Sequence, residues 1–150
     1  MNVLIDADAC PVKEIAVEIA KGQNIPVIMI CDTSHIIKSD YAQVITVDKG
    51  ADSVDIRLAN LVRKGDIAIT QDYGVATMVL SKGGFALNQN GLIYDDTNID
   101  RLLFERHIGK KLRKSGKRTG TVPQRSVKDD EKFREVFENL VKKVKLSEKS

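Results

Sequence analysis

The sequence predicts one α/β domain with a mostly parallel sheet covered by helices on both faces, followed by a basic helical extension. Short apolar runs alternate with amphipathic segments, the pattern of strands that each lead into a covering helix. The runs are continuously apolar, as in strands buried on both faces. A length of 150 residues suits one core, and 42% hydrophobic with 30% charged residues excludes wholesale disorder.

Apolar runs and their end signals define the first half. A buried strand is predicted at Asn2–Asp6, where the apolar run ends in acids. Pro11 opens a helix at its first turn, where a missing N–H is harmless, and Gly22 ends it. Further apolar runs predict strands at Pro26–Cys31 and Tyr41–Val47.

Helical and strand patterns continue to alternate in the middle of the chain. The predicted elements are a helix at Ser53–Lys64, a strand at Ile67–Thr70, a helix at Tyr73–Ser81 and a strand or hairpin at Phe85–Tyr94. Gly65 ends the first of these helices, and the Asn-Gln-Asn-Gly sequence at 88–91 is a good turn.

The extension begins with a helix predicted at Ile99–Leu112, whose Leu102, Leu103 and Ile108 fall on one side. We assign residues 1–114 to the α/β domain and 115–150 to a basic loop and a C-terminal amphipathic helix. Ser126 and Asp129 form a capping-box pattern at the start of that helix. The apolar stripe of this helix must pack either on the domain or on a second copy of the chain, which would make a homodimer. The stripe consists of Phe133, Val136, Phe137, Leu140, Val141 and Val144.

Charge divides the chain into an acidic body and a basic tail. Residues 1–100 carry 8 Lys/Arg against 14 Asp/Glu, and residues 101–150 carry 16 against 7. A basic run neutralises phosphates without reading sequence, so RNA or DNA is the expected partner; a solvated segment is the alternative. The residues expected to contact nucleic acid are Lys110, Lys111, Arg113, Lys114, Lys117 and Arg118.

Location and redox state follow from what the sequence lacks. No apolar run approaches the roughly 18 residues that span a bilayer, so no membrane association is expected. Asp6 interrupts the first apolar stretch, so no secretory signal is recognised and the cytoplasm is the expected location. Cys10 and Cys31 do not form a CxxC pair and are interpreted as reduced thiols near the core.

Aspartates follow four of the predicted strands, and the carboxyl ends of parallel strands share one edge of a sheet. These are Asp6, with Asp8 two residues on, and Asp32, Asp48 and Asp72. Crowded carboxylates repel one another unless a cation neutralises them. Oxygen ligands suit a hard ion, so the sequence predicts a Mg²⁺ or Mn²⁺ site.

Some of these acids have a structural interpretation. Asp32 and Asp48 are expected mainly to form turns, and Asp66, at the opposite end of its strand, likewise. Asp52 is expected to cap the following helix, whose first turn carries Asp55. The negative charge of Asp55 either interacts favourably with the positive end of the helix dipole or completes the metal cluster.

Two segments resemble signatures of the YaiI/YqxD group of bacterial proteins. They are Asp-Ala-Asp-Ala-Cys-Pro-Val-Lys at 6–13 and Ile-Thr-Gln-Asp-Tyr-Gly-Val-Ala at 69–76. The turn at 88–91 and Gly-Lys-Arg-Thr-Gly at 116–120 also fit, so the resemblance covers nearly the whole chain. It implies a PIN-like three-layer α/β/α fold, similar to that of PIN-domain nucleases.

By this resemblance, Asp6, Asp8, Asp55 and Asp72 are the expected metal-binding and catalytic residues of a Mg²⁺- or Mn²⁺-dependent nuclease. The chain departs from the nuclease pattern because no second acid follows Asp72 within residues 73–76. A noncatalytic nucleic-acid-binding or regulatory protein is therefore one alternative. A haloacid-dehalogenase-like phosphatase is another, with Asp6 as nucleophile, Asp8 as acid and Thr70 on the phosphate.

Three other polar residues receive structural interpretations. His35 and His107 have no sequence neighbour at metal-ligand spacing and are expected to be surface or capping residues. Lys13 could touch a phosphate near Asp8, although a solvated lysine is the simpler expectation.

Overall fold

The computed structural model describes residues 1–8, 10–50, 53–114 and 124–148. Its strands are β1 (Val3–Asp6), β2 (Val27–Asp32), β3 (Gln43–Val47), β4 (Ile67–Ile69), β5 (Phe85–Leu87) and β6 (Ile93–Tyr94). Its helices are α1 (Lys13–Gly22), α2 (Ser53–Leu61), α3 (Tyr73–Ser81), α4 (Asp96–Lys114) and α5 (Val127–Glu148).

The six strands form one sheet in the order β3-β2-β1-β4-β5-β6. Every pairing is parallel except that of β5 with β6, so the mostly parallel sheet predicted from the sequence is confirmed. The antiparallel hairpin turns through Asn88, whose side-chain oxygen accepts hydrogen bonds from the backbone N–H groups of Asn90 and Leu92. The two-residue β6 closes that edge of the sheet.

Each face of the sheet has its own apolar core, which gives a three-layer α/β/α architecture. On one face, Val3 and Ile5 of β1 pack with α1 and α5. On the other face, Leu4 of the same strand packs with α2, α3 and the start of α4. Alternate residues of β1 serve both cores because successive strand side chains point to opposite faces.

Helix α5 packs on the same chain through the apolar stripe recognised in the sequence. Phe133, Phe137, Leu140, Val141 and Val144 are buried in the core that α1 shares. The capping box at its start is confirmed, because Asp129 accepts a hydrogen bond from the backbone N–H of Ser126 at 2.8 Å and its own N–H reaches the Ser126 hydroxyl at 3.4 Å. The described part of the extension therefore completes a layer of the domain.

Three predicted helix boundaries were wrong. Helix α1 begins at Lys13, because the chain still turns at Pro11 and the first helical bond runs from Ala16 N–H to the Val12 carbonyl. Helix α4 begins earlier than predicted, at Asp96, because Asp95 accepts hydrogen bonds from the N–H groups of the first turn.

Helix α2 ends before the predicted Lys64 because a buried carboxylate holds the next turn. Asp66 is 4% exposed and accepts hydrogen bonds from the backbone N–H groups of Arg63 and Asn2, each at 2.8 Å. The predicted turn role of Asp66 is thus confirmed. The predicted cap at Asp52 lies outside the described residues.

The apolar face predicted for α4 is only partly correct. Ile99 is buried and Leu102 packs beside it on the core, whereas Leu103 and Ile108 are exposed. Leu103 is at i+4 from Ile99 and its spacing alone would allow it to face the core, so its exposure depends on how α4 lies on the sheet. In the described residues, no helix is long and apolar enough to span a membrane.

Candidate active site at the carboxyl edge of the sheet

The central strands β1 and β4 lie side by side, and the chain leaves them toward opposite faces of the sheet. Helix α1 follows β1 on one face, whereas α3 follows β4 on the other. This is a topological switch point, the position at which parallel sheets open a crevice for ligands. Asp6 ends β1 and Asp72 follows β4, so both stand at the crevice.

A cavity of about 570 Å³ lies at this point, and three of the four predicted acids line it. We call it the acid cavity. Asp6 and Asp72 come from the strand ends, and Asp55 comes from the first turn of α2. Helix α4 covers one side with Leu102, Glu105, Arg106 and Gly109, whose spacing places them on one helical face.

The pKa of Asp6 is shifted by its surroundings in the cavity. Burial, followed by the charges of Asp8 and Asp72, raises its pKa from 3.8 to about 6. The hydroxyl of Thr70 opposes this rise by donating a long hydrogen bond of 3.5 Å to the Asp6 carboxylate. Negative charge at Asp6 is therefore costly, and a nearby cation would relieve that cost.

Asp72 is fixed in position by the start of α3. Its Oδ1 accepts a hydrogen bond from Val75 N–H at 3.0 Å, and its own N–H donates to the Thr70 hydroxyl at 3.1 Å. Asp72 is therefore also the N-cap of α3, where the helix dipole favours negative charge. Gly74 leaves room for it, since a Cβ there would lie 3.1 Å from Oδ1.

Asp8 does not line the acid cavity, contrary to its predicted place in one four-acid cluster. Its Oδ1 instead accepts a hydrogen bond from Asp32 N–H at 3.0 Å and lies 3.1 Å from Nδ1 of His35. Because the chain turns after β1 ends at Asp6, the side chain of Asp8 does not continue the alternation of the strand and faces a neighbouring cavity. Its charge still reaches Asp6, where it helps to raise the pKa.

His35 is exposed, as expected of a surface residue, but it has partners that its sequence neighbours do not reveal. Among the described residues, the ligand atoms of Asp8, Asp32 and His35 form one group within 4.8 Å, which the three acid-cavity carboxylates do not. Asp32 has the predicted turn role, because it accepts hydrogen bonds from the N–H and the hydroxyl of Ser34. A chain reversal after β2 brings His35 back to Asp8, and sequence spacing cannot reveal this.

Two residues that were not predicted from the sequence, Glu105 and Arg106, line the acid cavity with their side chains. Glu105 supplies an additional carboxylate, in a protein that lacks the second acid after Asp72. Arg106 is exposed and lies over Tyr73, with its guanidinium carbon 6.0 Å from the ring centroid. The i+3 and i+4 spacing of both residues from the inward-facing Leu102 was the signal that could have identified them.

The remaining predicted residues are placed as follows. Lys110 and Lys111 are exposed on α4, beyond the helical face that covers the cavity. The side chains of Arg113 and Lys114 lie outside the described part of the structure. Residues 115–123 of the predicted basic loop, with Lys117 and Arg118, lie outside it entirely. Asp48 and His107 are exposed.

The cysteines have the structural role predicted for them. Both are free and buried. Burial raises the pKa of the Cys10 thiol to about 11, so it stays protonated at neutral pH and is a poor nucleophile.

The phosphatase alternative fits this geometry poorly. Thr70 is 2% exposed and its hydroxyl is engaged by Asp6 and the Asp72 N–H, so it is not presented to a phosphate. Asp8, the expected acid, faces away from the cavity that Asp6 lines.

Comparison with known sequences identifies the family. The model of the family described as "Uncharacterized BCR, YaiI/YqxD family" matches residues 4–143. The chain belongs to the YaiI/YqxD family. Its relatives include a UPF0178 protein of Ruminiclostridium cellulolyticum, 60% identical over 142 residues that cover 95% of this chain and 93% of the relative.

Other YaiI/YqxD relatives are similar along their full length. A UPF0178 protein of Clostridium kluyveri is 50% identical over 94% of this chain and 93% of its own. One from Clostridium acetobutylicum is 46% identical over 97% of this chain and 100% of its own. No solved structure matches this YaiI/YqxD protein. The similarity to PIN-domain nucleases therefore stays a prediction.

Proposed function

We propose that this protein is a Mg²⁺- or Mn²⁺-dependent nuclease that hydrolyses RNA or DNA phosphodiesters at the acid cavity. The observation that supports this most is the convergence of Asp6, Asp55 and Asp72 on one cavity. The three residues come from separate segments of the chain and meet at the switch point of the sheet, where parallel α/β proteins bind ligands.

The donor set fits a hard divalent ion. The three acids offer oxygen only, which suits Mg²⁺ or Mn²⁺. Magnesium is usually held by one or two carboxylates and keeps several waters, so three converging carboxylates need not meet at one point. The raised pKa of Asp6 marks a buried negative charge that such an ion would stabilise.

In hydrolysis, the ion would activate the reacting groups, and side chains of the protein would bind and position the substrate. Asp6, Asp55 and Asp72 would hold a divalent ion, which would polarise a phosphoryl oxygen and lower the pKa of a bound water. Arg106, at the same cavity, binds a phosphate oxygen of the substrate. Lys110 and Lys111, farther along α4, neutralise adjacent phosphates. Glu105 takes the place of the acid that is missing after Asp72.

A noncatalytic nucleic-acid-binding protein is the second candidate. The exposed lysines of α4 favour it, because they would bind a phosphate backbone whether or not the acids act. Under this alternative, nucleic acid binds and is not cleaved, and Asp6→Asn leaves its affinity unchanged.

Metal titration followed by a cleavage assay tests the proposal. Mn²⁺ binding is measured by calorimetry for the wild type and for Asp6→Asn/Asp72→Asn, and we expect the double variant to lose it. The same proteins are then incubated with single-stranded RNA, single-stranded DNA and a phosphomonoester. We expect wild-type cleavage of a nucleic acid that disappears in the double variant.

Asp40→Asn is the matched control, because exposed Asp40 precedes β3 and so lies at the opposite edge of the sheet. It should bind Mn²⁺ and cleave as the wild type does. Metal uptake that survives the double substitution would refute the site. Cleavage that survives it would refute the catalytic assignment.

A further inference from the structure

A second cavity of about 700 Å³ lies beside the acid cavity and is rich in carboxamides. We call it the amide cavity, after its lining residues Gln71, Gln89, Asn90 and Gln124. Gln71 lines both cavities, so one extended ligand can reach from the acid cavity into the amide cavity. This volume is within the range of small-molecule sites.

Charges in the amide cavity balance. Asp8 and Asp129 supply two negative groups, and Lys13 and Arg125 supply two positive ones. Carboxamides carry both donors and an acceptor, although the Asn90 side-chain oxygen already accepts a hydrogen bond from Arg125. Balanced charge with many paired donors and acceptors suits a neutral polar ligand better than a free anion or cation.

One acceptor in this region has no partner. The side-chain oxygen of Gln89 is buried and receives no hydrogen bond from the described residues. A buried polar atom without a partner is costly and uncommon, so it calls for a donor from outside the chain. Because Gln89 lines the amide cavity, a rotation of its side-chain amide would bring this oxygen to the cavity, where a ligand N–H can bind it.

Arg125 provides a rigid flat group in the same cavity. Its Nε donates to Asp130 at 2.7 Å, and its two terminal nitrogens donate to the Asn90 side chain at 2.8 Å and to the Gln89 carbonyl at 2.7 Å. The N–H groups that make these three bonds lie in the guanidinium plane, so the bonds themselves do not occupy its faces, and the side chain lines the cavity. Unpaired nucleobases stack on arginine planes in this way.

We propose that the amide cavity binds a nucleobase of the substrate whose phosphate lies at the acid cavity. This inference rests on the proposed function for the identity of the ligand. The base stacks on Arg125, and one of its N–H groups donates to the Gln89 oxygen. A base held in this cavity cannot be paired, so the substrate presents an unpaired nucleotide beside the bond that is cut.

An NMR titration in EDTA tests the proposal without metal or turnover. Nucleoside 5′-monophosphates of all four bases and ribose 5-phosphate are added to the ¹⁵N-labelled wild type and to Asp6→Asn. We expect at least one nucleotide to shift the side-chain amide signals of Gln89 and Gln71 in both proteins. Ribose 5-phosphate should leave these signals unchanged because it lacks the base.

A substitution measures the contribution of the unpartnered oxygen. Gln89→Met keeps the length of the side chain and the backbone carbonyl that Arg125 uses, and it should weaken nucleotide binding roughly tenfold. Gln43→Met is the control, since Gln43 is exposed on β3, and it should bind as the wild type does. Circular dichroism verifies folding, and the wild-type shift map decides the matter if Gln89→Met does not fold.

Three results would overturn the nucleobase site: equal binding of ribose 5-phosphate, wild-type affinity in folded Gln89→Met, or no shift at Gln89 with any nucleotide. Failure of the proposed nuclease is seen separately. Loss of Mn²⁺ binding or of cleavage bears on the acid cavity, whereas the titration in EDTA depends on neither.

Discussion

Arg106 on α4 lies over the ring of Tyr73 on α3, and both residues line the cavity that contains Asp6 and Asp72. The contact holds a positive group beside the acids without pairing it fully with any one of them. Because a cation over an aromatic face keeps its N–H donors available, Arg106 is suited to bind an incoming phosphate.

Arg106→Gln should therefore lower kcat/KM for nucleic-acid cleavage by roughly ten- to a hundredfold, the usual effect of losing a charge-assisted contact. Mn²⁺ affinity, measured by calorimetry, should not fall. Arg63→Gln is the matched control, since exposed Arg63 precedes β4 at the opposite edge of the sheet and lies outside the cavity lining. Equal losses in the two variants would point to general charge and contradict a specific role.

The raised pKa of Asp6 predicts how stability depends on pH in the metal-free protein. Between about pH 4 and pH 6 the folded protein keeps a proton on Asp6 that the unfolded chain has lost, so this group lowers stability as pH rises through that window. Asp6→Asn should raise the free energy of unfolding at pH 7.5 by roughly 2 kcal/mol and change it little at pH 4.

Urea unfolding in EDTA at the two pH values measures this difference, with Asp40→Asn as the control for removing an exposed carboxylate. A variant that is less stable than the wild type at pH 7.5 would show that Asp6 is not under electrostatic strain.

The buried carboxylate of Asp66 should be essential for stability. Asp66→Ala leaves the backbone N–H groups of Asn2 and Arg63 without acceptors at the start of β4. We expect a loss of roughly 2–4 kcal/mol by urea unfolding. Asp48→Ala, at an exposed aspartate, should cost less than about 0.5 kcal/mol. Similar small losses in both variants would contradict the structural role.

Gly91 in the hairpin lies close to α5 and also has a backbone conformation that favours glycine. Its φ is +80°, and a Cβ there would lie 3.2 Å from the Val136 side chain and 3.3 Å from the Lys132 carbonyl. Gly91→Ala should lower the free energy of unfolding by roughly 2–3 kcal/mol, through strain and overpacking together.

Gly65→Ala separates these two causes. Gly65 has a similar φ of +85°, but a Cβ there would meet only the tip of the Glu148 side chain at 3.9 Å. Its loss should be about 1 kcal/mol. Equal losses in thermal unfolding would show that the contact with α5 adds nothing.

Hydrophobic periodicity was sufficient to predict the parallel sheet, its covering helices and the hairpin. It failed at the boundaries, where single side chains decide: Asp95 starts α4 early and Asp66 stops α2 early. The PIN-like similarity, the cytoplasmic location and the division at residue 114 stay predictions.

At the site, strand ends and a helix start were enough to bring Asp6, Asp55 and Asp72 together. The same rule failed for Asp8, because the direction of a side chain two residues beyond a strand depends on the local turn. It also missed Arg106, whose position depends on how α4 lies across the sheet edge. Local spacing places Arg106 on the same helical face as Leu102, but it does not show which part of the sheet that face covers.

The side chains of β1 alternate between the two faces of the sheet, so Asp6 turns toward the face of Leu4, which α2, α3 and α4 cover, although the chain itself leaves the strand toward α1. Asp72 caps α3 on that same face. The gap between the two carboxylates is thus governed mainly by one outer layer. Loosening of that layer, for example by truncating the buried Val79 on α3, would misalign the pair. Under the proposed function, cleavage would then decline before global unfolding is detected.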